Sequence, residues 1–263
     1  AAIEVDGAAY WMSENGFFRF TGKLESMQCL VEDYVYDDLN TTAQQLINCG
    51  LNNLFGEIYW FYPSNSSEVV NRMVSYNYLD SSPQRQIWVT GSLNRTTWSD
   101  SAVFGKPHGT QYTAGNDVSF DVVGNTEGRT AYFEHETGTD QVEAGSVSAI
   151  AASVESGDYD ITVTKEGGAT LQGDGEFLMK IRRFLPDFIS QTGNTQITLN
   201  LRDYPNSSQA SSPLGPFTIS SSTTKVDTRA RARAVSLKIA NTGTAQDWKL
   251  GTFRLDIQPD GRR

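Results

Sequence analysis

Two histidines are the side chains of this sequence best suited to acid–base chemistry, because histidine changes charge near neutral pH. His135 lies between two glutamates in Phe133–Thr137. Neighbouring carboxylates favour the protonated imidazole, so we expect a raised pKa for His135, and they could also assist a metal ion. However, His135 and its glutamates are consecutive, and consecutive strand residues point to opposite faces, which does not suit a metal site. His108 is expected in a loop beside Pro107 and Gly109. We therefore favour neither a catalytic base nor a metal site for these histidines. An enzyme that uses His135 ranks third among the functional hypotheses, after the two that are given below.

A run of carboxylates, Glu32–Asp38, is the second feature with possible chemistry. Retaining glycosidases place two carboxyl groups about 5 to 5.5 Å apart in a cleft, and an aromatic lining would suit a sugar. Carboxylate runs are more commonly solvated surface, and aromatic hairpins more commonly form a core. A carbohydrate-binding or glycan-cleaving β protein that uses Trp11, Trp60, Trp88 or Trp98 is therefore the alternative hypothesis.

The remaining motifs do not predict catalysis or cofactor binding. Gly157–Asp160 and Gly173–Glu176 place acidic residues beside glycine, but they lack the spaced ligands of a calcium-binding loop. The sequence contains no phosphate-binding glycine loop, dinucleotide fingerprint or nucleophile elbow. We therefore predict a protein that is not an enzyme, with no catalytic residues, no cofactor and no metal.

The arginine-rich end of the chain is the strongest candidate for a binding surface. The odd positions from Arg229 to Ile239 hold three arginines and then three apolar residues, so the sequence predicts one strand with all six on one face. Three unpaired arginines do not fit a core and must meet water, carboxylates or phosphate. Salt bridges to a neighbouring chain are favoured over nucleic acid, because no basic helix or stacking platform accompanies them. The predicted interface comprises Arg229, Arg231, Arg233, Arg254, Arg262 and Arg263.

Charge is distributed unevenly along the chain. The formal net charge is −10, yet residues 224–263 hold nine Lys and Arg against four Asp, or +5, which leaves −15 for the rest. An acidic body with a basic tail favours self-assembly, because the tail of one subunit can meet the body of another. The same acidic body would not adhere to DNA.

Region 1–108 alternates aromatic strands with short turns. Ala9–Met12, Ser13–Gly16 and Phe17–Phe20 read as strand, turn and strand, which predicts a β-hairpin. Repeated four-stranded meanders with an aromatic signature are typical of β-propeller blades. Only about two blades fit here, whereas propellers have about four or more, so either earlier blades are missing from this sequence or the region is a smaller meander.

Region 109–263 shows the alternation of apolar and polar residues that half-buried strands require. Its short apolar runs predict an antiparallel β-sandwich or jelly-roll-like fold; they are Val118–Val122, Tyr159–Val163, Ile197–Leu201 and Phe253–Ile257. Lys180–Asp187 is predicted to be a strand that Pro186 ends. Ser146–Glu155 fits either a strand or a helical stripe. The predicted fold class is all-β with little helix, and one short helix is expected between Asn40 as its N-cap and Gly50.

The length of the apolar runs and the number of cysteines further limit the class of protein that the sequence predicts. Apolar runs all fall short of the ~20 residues of a membrane-spanning helix, so no such segment is predicted. Cys29 and Cys49 are too few for a disulfide scaffold or, without histidine, for a zinc site. They favour two buried thiols in a reducing compartment.

Several segments together resemble one protein family. They are Ala9–Ser13, Gly16–Gly22, Val31–Tyr36, Glu57–Ser64, Ser75–Tyr78, Gly91–Trp98, Arg183–Phe188, the arginines from Arg229 to Arg233, Trp248–Gly251 and Leu255–Arg263. On these segments, which span nearly the whole chain, the sequence resembles the tail nozzle or hub proteins of short-tailed bacteriophages, also described as packaged-DNA stabilization or virion structural proteins.

The resemblance implies a β-propeller joined to sandwich-like domains, assembled as a homohexameric ring below the portal and adaptor. Such a ring continues the DNA channel, retains the packaged genome and releases it on infection, with only transient, non-specific DNA contact. It implies a location in the virion tail after synthesis in the host cytoplasm, with tail fibre or spike proteins as further partners. The family is non-enzymatic, so the resemblance adds no catalytic residues. Within a phage tail, the carbohydrate-binding or glycan-cleaving protein of the alternative hypothesis would be a tail component that recognises the receptor.

Overall fold

The computed structural model describes residues 1–101, 103–113, 129–143, 145–163, 169–171, 175–204 and 212–262. The chain forms two compact units, Ala1–Thr137 and Gly138–Arg263. Nearly every element is a β-strand, and the strand pairings in the described part of the chain are all antiparallel. The all-β prediction with little helix is therefore confirmed. The run Val118–Val122 and the predicted interface residue Arg263 lie outside the described residues.

The first unit contains two four-stranded meanders in which each strand pairs with its sequence neighbour. One comprises β1 (Ala2–Val5), β2 (Ala8–Ser13), β3 (Gly16–Phe20) and β4 (Leu24–Ser26), and the other β5 (Asn48–Asn52), β6 (Glu57–Tyr62), β7 (Arg72–Ser82) and β8 (Arg85–Gly91). A third sheet, in the order β11-β10-β9, comprises β9 (Thr97–Ser99), β10 (His108–Thr113) and β11 (Arg129–Glu134). The predicted aromatic hairpins are thus present as β2–β3 and β6–β7.

Strand β6 is buried on both faces, which explains its unbroken apolar sequence. On one face Trp60 contacts Phe17 of the first meander, with ring centroids 5.2 Å apart. On the other face Tyr59 and Phe61 pack against Trp98 of the third sheet, at 5.2 and 5.7 Å. The second meander therefore lies between the first meander and the third sheet, and aromatic contacts hold the three layers together.

Two short helical segments connect the meanders. A kinked 3-10 segment, Thr41–Leu46, begins as predicted at Asn40, whose side-chain oxygen accepts a hydrogen bond from the Thr42 N–H at 3.0 Å. It ends before Gly50, which belongs to strand β5. The carboxylate run forms a helix that the sequence did not predict, α1 (Glu32–Asp37), with Val35 buried beneath it.

The second unit is a two-layer β-sandwich with hairpins at its margins. One sheet has the order β14-β22-β19-β20 and the other β21-β17-β24. The strands are β12 (Asp140–Glu143), β13 (Ser146–Ala149), β14 (Ser153–Glu155), β15 (Ile161–Val163), β16 (Ala169–Leu171), β17 (Met179–Leu185), β18 (Phe188–Thr192), β19 (Thr195–Arg202), β20 (Ser212–Ile219), β21 (Val226–Ala232), β22 (Ala234–Ala240), β23 (Asp247–Leu250) and β24 (Arg254–Pro259). One apolar core joins the two layers, and Phe184 contacts Phe217 across it at 5.5 Å.

Two expectations differ from this arrangement. The sequence boundary near residue 108 falls at the start of β10, which pairs with β9 and β11, so the compact units divide after Thr137 instead. The single strand expected from Arg229 to Ile239 is wrong, because the chain leaves β21 at Arg233 and enters β22 of the other sheet. The bend reverses the alternation, so that Ala230 and Ala232 face the core before it and Val235 faces the core after it.

The two-sided burial of β6 gives a prediction for the first unit. Trp60→Ala should lower the free energy of unfolding by about 3 to 5 kcal/mol, because it opens a cavity between two layers. Trp11→Ala is the matched control, since Trp11 stacks on Phe18 at 5.8 Å outside the core cluster and is only half-buried. We expect a loss of about 1 kcal/mol there. Urea titration followed by far-UV circular dichroism measures both, and equal losses would contradict the layer assignment.

Candidate functional site

The outward face of the sheet β21-β17-β24 carries a groove of about 470 Å³, which we call the cationic groove. Its lining contains five basic and two acidic side chains with one threonine: Lys180, Arg182, Arg183, Arg229, Arg231, Asp227, Asp260 and Thr228. This lining is positive although the whole chain has a formal charge of −10. A concave surface of one sign concentrates ions of the opposite sign, so the groove is suited to anions.

Strand alternation and a local irregularity place these cations together. Ile181 lies in register with Ala230 and Ile257 and faces the core, so Lys180 faces outward, directly opposite Arg231. After Ile181 the register shifts in both ladders. The Thr228 hydroxyl donates to the Ile181 carbonyl at 2.7 Å at this point. The irregularity brings the consecutive residues Arg182 and Arg183 to the same groove.

Some of the lining cations are already neutralised within the chain. Arg183 lies between Asp256, at 3.2 Å, and Asp227, at 3.8 Å. Arg231 contacts the Asp260 carboxylate at 2.5 Å. Lys225 donates to Asp227, and this bond, with help from Arg183, lowers the pKa of the Asp227 carboxyl. These pairs are solvated and contribute little stability, but they account for both acidic residues of the groove.

Lys180, Arg182 and Arg229 form no ion pair with any residue that the structure describes. All three are exposed. Like charges on adjacent strands destabilise a sheet unless an anion lies near them. The groove therefore offers an excess of basic groups to carboxylates or phosphates from outside the chain.

The structure separates the five predicted interface residues that it describes, since Arg263 lies outside the described part of the chain. Arg229 and Arg231 line the groove, whereas Arg254 is exposed on the same sheet, on the neighbouring strand β24. Arg233 and Arg262 serve the fold. Arg262 pairs with Glu176 at 3.2 Å and lies over the Phe177 ring at 4.6 Å.

Sequence reasoning missed Lys180, Arg182 and Arg183. The signal was present as three basic residues in the four-residue segment Lys180–Arg183, which was interpreted only as a strand. They lie near Arg229 because β17 pairs with β21, which is about 50 residues away along the chain. A local sequence pattern cannot predict a pairing between such distant segments.

Arg233 stabilises the bend between the two sheets. Its guanidinium donates to the carbonyls of Glu176 at 2.7 Å, Gly175 at 3.1 Å and Arg262 at 3.5 Å. These hydrogen bonds connect the segments at residues 175–176 and at Arg262 to the point where the chain passes from β21 to β22. Arg233 is consequently a structural residue, unlike the exposed Arg229.

This difference gives a second prediction. Arg233→Ala should destabilise the second unit by about 2 kcal/mol, because hydrogen bonds from a charged donor to three carbonyls are lost. Arg229→Ala should change stability by less than about 0.5 kcal/mol, as expected for an exposed side chain. Thermal unfolding of both variants by calorimetry measures the difference. Equal stabilities would mean that the Arg233 contacts do not support the fold.

His135 lies in a half-buried aromatic contact. Its ring packs on Trp98 with centroids 4.5 Å apart, and Nε2 accepts a hydrogen bond from Arg95 Nε at 2.9 Å. Burial, with the Arg95 charge as the second cause, lowers the pKa of His135 to about 4. The expected rise in pKa was wrong, because the flanking glutamates turn away: Glu134 pairs with Lys106 and Glu136 accepts from Asn52. A neutral imidazole that accepts from arginine is a packing element in this arrangement.

The lowered pKa predicts acid sensitivity. The folded pKa of about 4 lies below the ordinary value of 6.5, so the neutral ring contributes stability that is fully present above pH 6.5 and falls as the pH approaches 4. His135→Gln keeps an acceptor for Arg95 but does not titrate. Between pH 7 and about pH 4.5 it should lose about 1 to 2 kcal/mol less stability than the parent chain, after allowance for solvent screening. His108→Gln is the control, and urea titrations at the two pH values measure the effect. Identical losses for the parent chain and His135→Gln would contradict it.

His108 is part of strand β10 and not of a loop as expected. Its Nδ1 lies 2.6 Å from the Tyr132 hydroxyl on the paired strand β11, and the two rings stack with centroids 5.2 Å apart. Groups of three or more His, Cys, Asp or Glu suited to a metal ion do not occur among the described residues.

The tryptophans of the alternative hypothesis are mostly core residues. Trp60 is fully buried, Trp88 contacts Phe17 at 4.7 Å, and Trp98 contacts Tyr59 and Phe61. Trp11, beside Phe18, faces away from this core. A sugar platform built from these tryptophans would therefore have to be limited to Trp11.

Comparison with models of protein families and with curated protein sequences finds no match to this chain. Helices long and apolar enough to cross a membrane do not occur in the part of the chain that the structure describes.

Proposed function

We propose that this chain is a virion structural protein of a short-tailed phage tail, which assembles with copies of itself into a nozzle or hub ring. The ring, a homohexamer by the resemblance, continues the DNA channel below the portal and adaptor, retains the packaged genome and releases it on infection. Tail fibre or spike proteins are further partners, and contact with the genome is transient. No catalytic step is assigned to any residue.

The observation that carries this proposal is the excess of unpaired cations in the cationic groove of an otherwise acidic chain. Lys180, Arg182 and Arg229 lack a carboxylate partner among the described residues, whereas the chain has ten more acidic than basic side chains. An acidic surface on a neighbouring copy supplies the missing carboxylates. Such a contact is heterologous, and repeated heterologous contacts close a ring when the rotation per subunit is suitable.

The architecture supports the same role. The described meanders and the sandwich are each built around aromatic and apolar clusters, as expected for a scaffold. An acidic wall would repel the phosphates of DNA and let the duplex slide, whereas a basic wall would hold it by counterion release. If the basic residues lie in the contacts between subunits, the surface that remains to line the channel is acidic.

Self-association of the purified chain tests the proposal. The parent chain should form a ring with a central hole in negative-stain class averages and a matching mass by light scattering. Arg182→Glu with Arg229→Glu should weaken assembly at least about tenfold, because like charges then oppose each other across the contact. Assembly of the parent chain should also weaken as salt rises from about 0.05 to 0.5 M.

A control variant isolates the groove from net charge. Arg85→Glu with Lys249→Glu changes the net charge equally at exposed positions outside the groove, and it should assemble like the parent chain. A parent chain that stays monomeric, or a groove variant that assembles normally, would refute the proposed ring contact.

A further inference from the structure

We infer that the acidic helix α1 of a neighbouring copy occupies the cationic groove. This inference rests on the proposed self-assembly and adds the identity of the contacting surface. The occupant is a second copy of this chain, on the grounds of complementary charge and matching dimensions.

Helix α1 presents carboxylates that are not neutralised by the described part of the chain. Asp33 and Asp37 are exposed and form no ion pair there, and the same holds for the partly exposed Glu32. Only Asp38, just after the helix, has a basic partner, Arg72, at 3.1 Å. Four carboxylates within seven residues thus share one internal cation.

Glu32 and Asp33 in the first turn of α1 lie at the favourable end of the helix dipole, whereas the end of the helix at Asp37 carries unfavourable charge. Asp33 and Asp37 are four positions apart and lie side by side on one face, where like charges destabilise a helix. Asp37 also lies in the last turn, which has no basic residue, beside the negative end of the helix dipole. External cations near Asp33 and Asp37 would relieve both effects.

The dimensions of the two surfaces agree. Carboxylates at Asp33 and Asp37 are about 6 Å apart along the helix axis. Lys180 and Arg182, which form no ion pair with any described residue, are two positions apart on β17, about 7 Å in an extended strand. Tyr34, which is 56% exposed between the two aspartates, offers an aromatic face to an arginine guanidinium. Tyr and Arg, together with Trp, are enriched among the residues that dominate the binding energy of protein interfaces.

A second acidic segment, residues 134–143, already uses its carboxylates in contacts within the chain. Glu134 pairs with Lys106 at 3.6 Å, and Glu136 accepts from the Asn52 amide at 2.8 Å. Asp140 accepts from the Ala245 N–H at 2.8 Å, and Glu143 accepts from the Gln141 amide at 3.1 Å. Docking this segment in the groove would break or distort these bonds, whereas docking α1 breaks none of the ion pairs of the described residues.

Charge reversal in two separate chains tests the assignment. A groove-reversed chain carries Arg182→Glu and Arg229→Glu, and a helix-reversed chain carries Asp33→Lys and Asp37→Lys. Each alone should self-associate at least about tenfold more weakly than the parent chain, because its groove and helix then carry the same sign. An equal mixture should regain assembly, because each reversed surface meets a complementary one on the other chain. Sedimentation velocity of the two chains and of the mixture measures this, and circular dichroism confirms that both remain folded.

Glu14→Lys with Asp80→Lys is the matched control for the helix, since both residues are exposed acids of the first unit outside α1, and this chain should assemble normally. If groove reversal weakens assembly but helix reversal does not, the ring contact stands and α1 is not its occupant. If neither reversal matters, or the parent chain is monomeric, both the proposed function and this inference fail. A groove reversal that abolishes binding of a fluorescent DNA duplex without affecting assembly would assign the groove to phosphate and overturn the inference.

Discussion

Burial of one side of strand β17 determines the character of its other side. Met179, Ile181 and Phe184 are completely enclosed in the sandwich core, and side chains of a strand alternate between faces. Lys180 and Arg183 must therefore point outward, where they meet the exposed residues of β21. A slip of one residue in register would move basic groups into the core at a cost of several kcal/mol each. The cationic groove thus depends directly on correct packing of the core behind it.

The first unit uses its aromatic residues in a different way. Strand β6 is enclosed between two other layers, so Trp60, Phe61 and Tyr62 stabilise the stack and are not available to a ligand. Gly50 illustrates how close these layers are, because a Cβ at this position would lie 2.4 Å from the Trp98 ring. Many tryptophans in a β protein can indicate a sugar-binding surface, but in this chain most of them are explained by contacts between layers.

Local patterns predicted the elements better than the site. The hairpin of β2 and β3 follows from alternating aromatic residues around a turn, and the end of β17 follows from Pro186; both are confirmed. The features that were predicted wrongly depend on distant parts of the chain. The Arg229–Ile239 segment divides at Arg233 because its two halves pair in different sheets. The pKa of His135 is lowered by burial and by the Arg95 charge, and is not raised by its neighbouring glutamates. Assembly, ring size and location in the virion stay predictions.

The distribution of charge links the two proposals. In an assembled ring, α1 of one copy would cover the basic groups of the next, and the carboxylates of Asp33 and Asp37 would be covered with them. The surface that remains exposed would retain the net negative charge of the chain, because equal numbers of opposite charges are removed in each contact. Such a surface has few basic side chains that could neutralise DNA phosphates and release the counterions of the DNA. The same pairing of opposite charges that joins the subunits would therefore also keep the channel from holding the genome that passes through it.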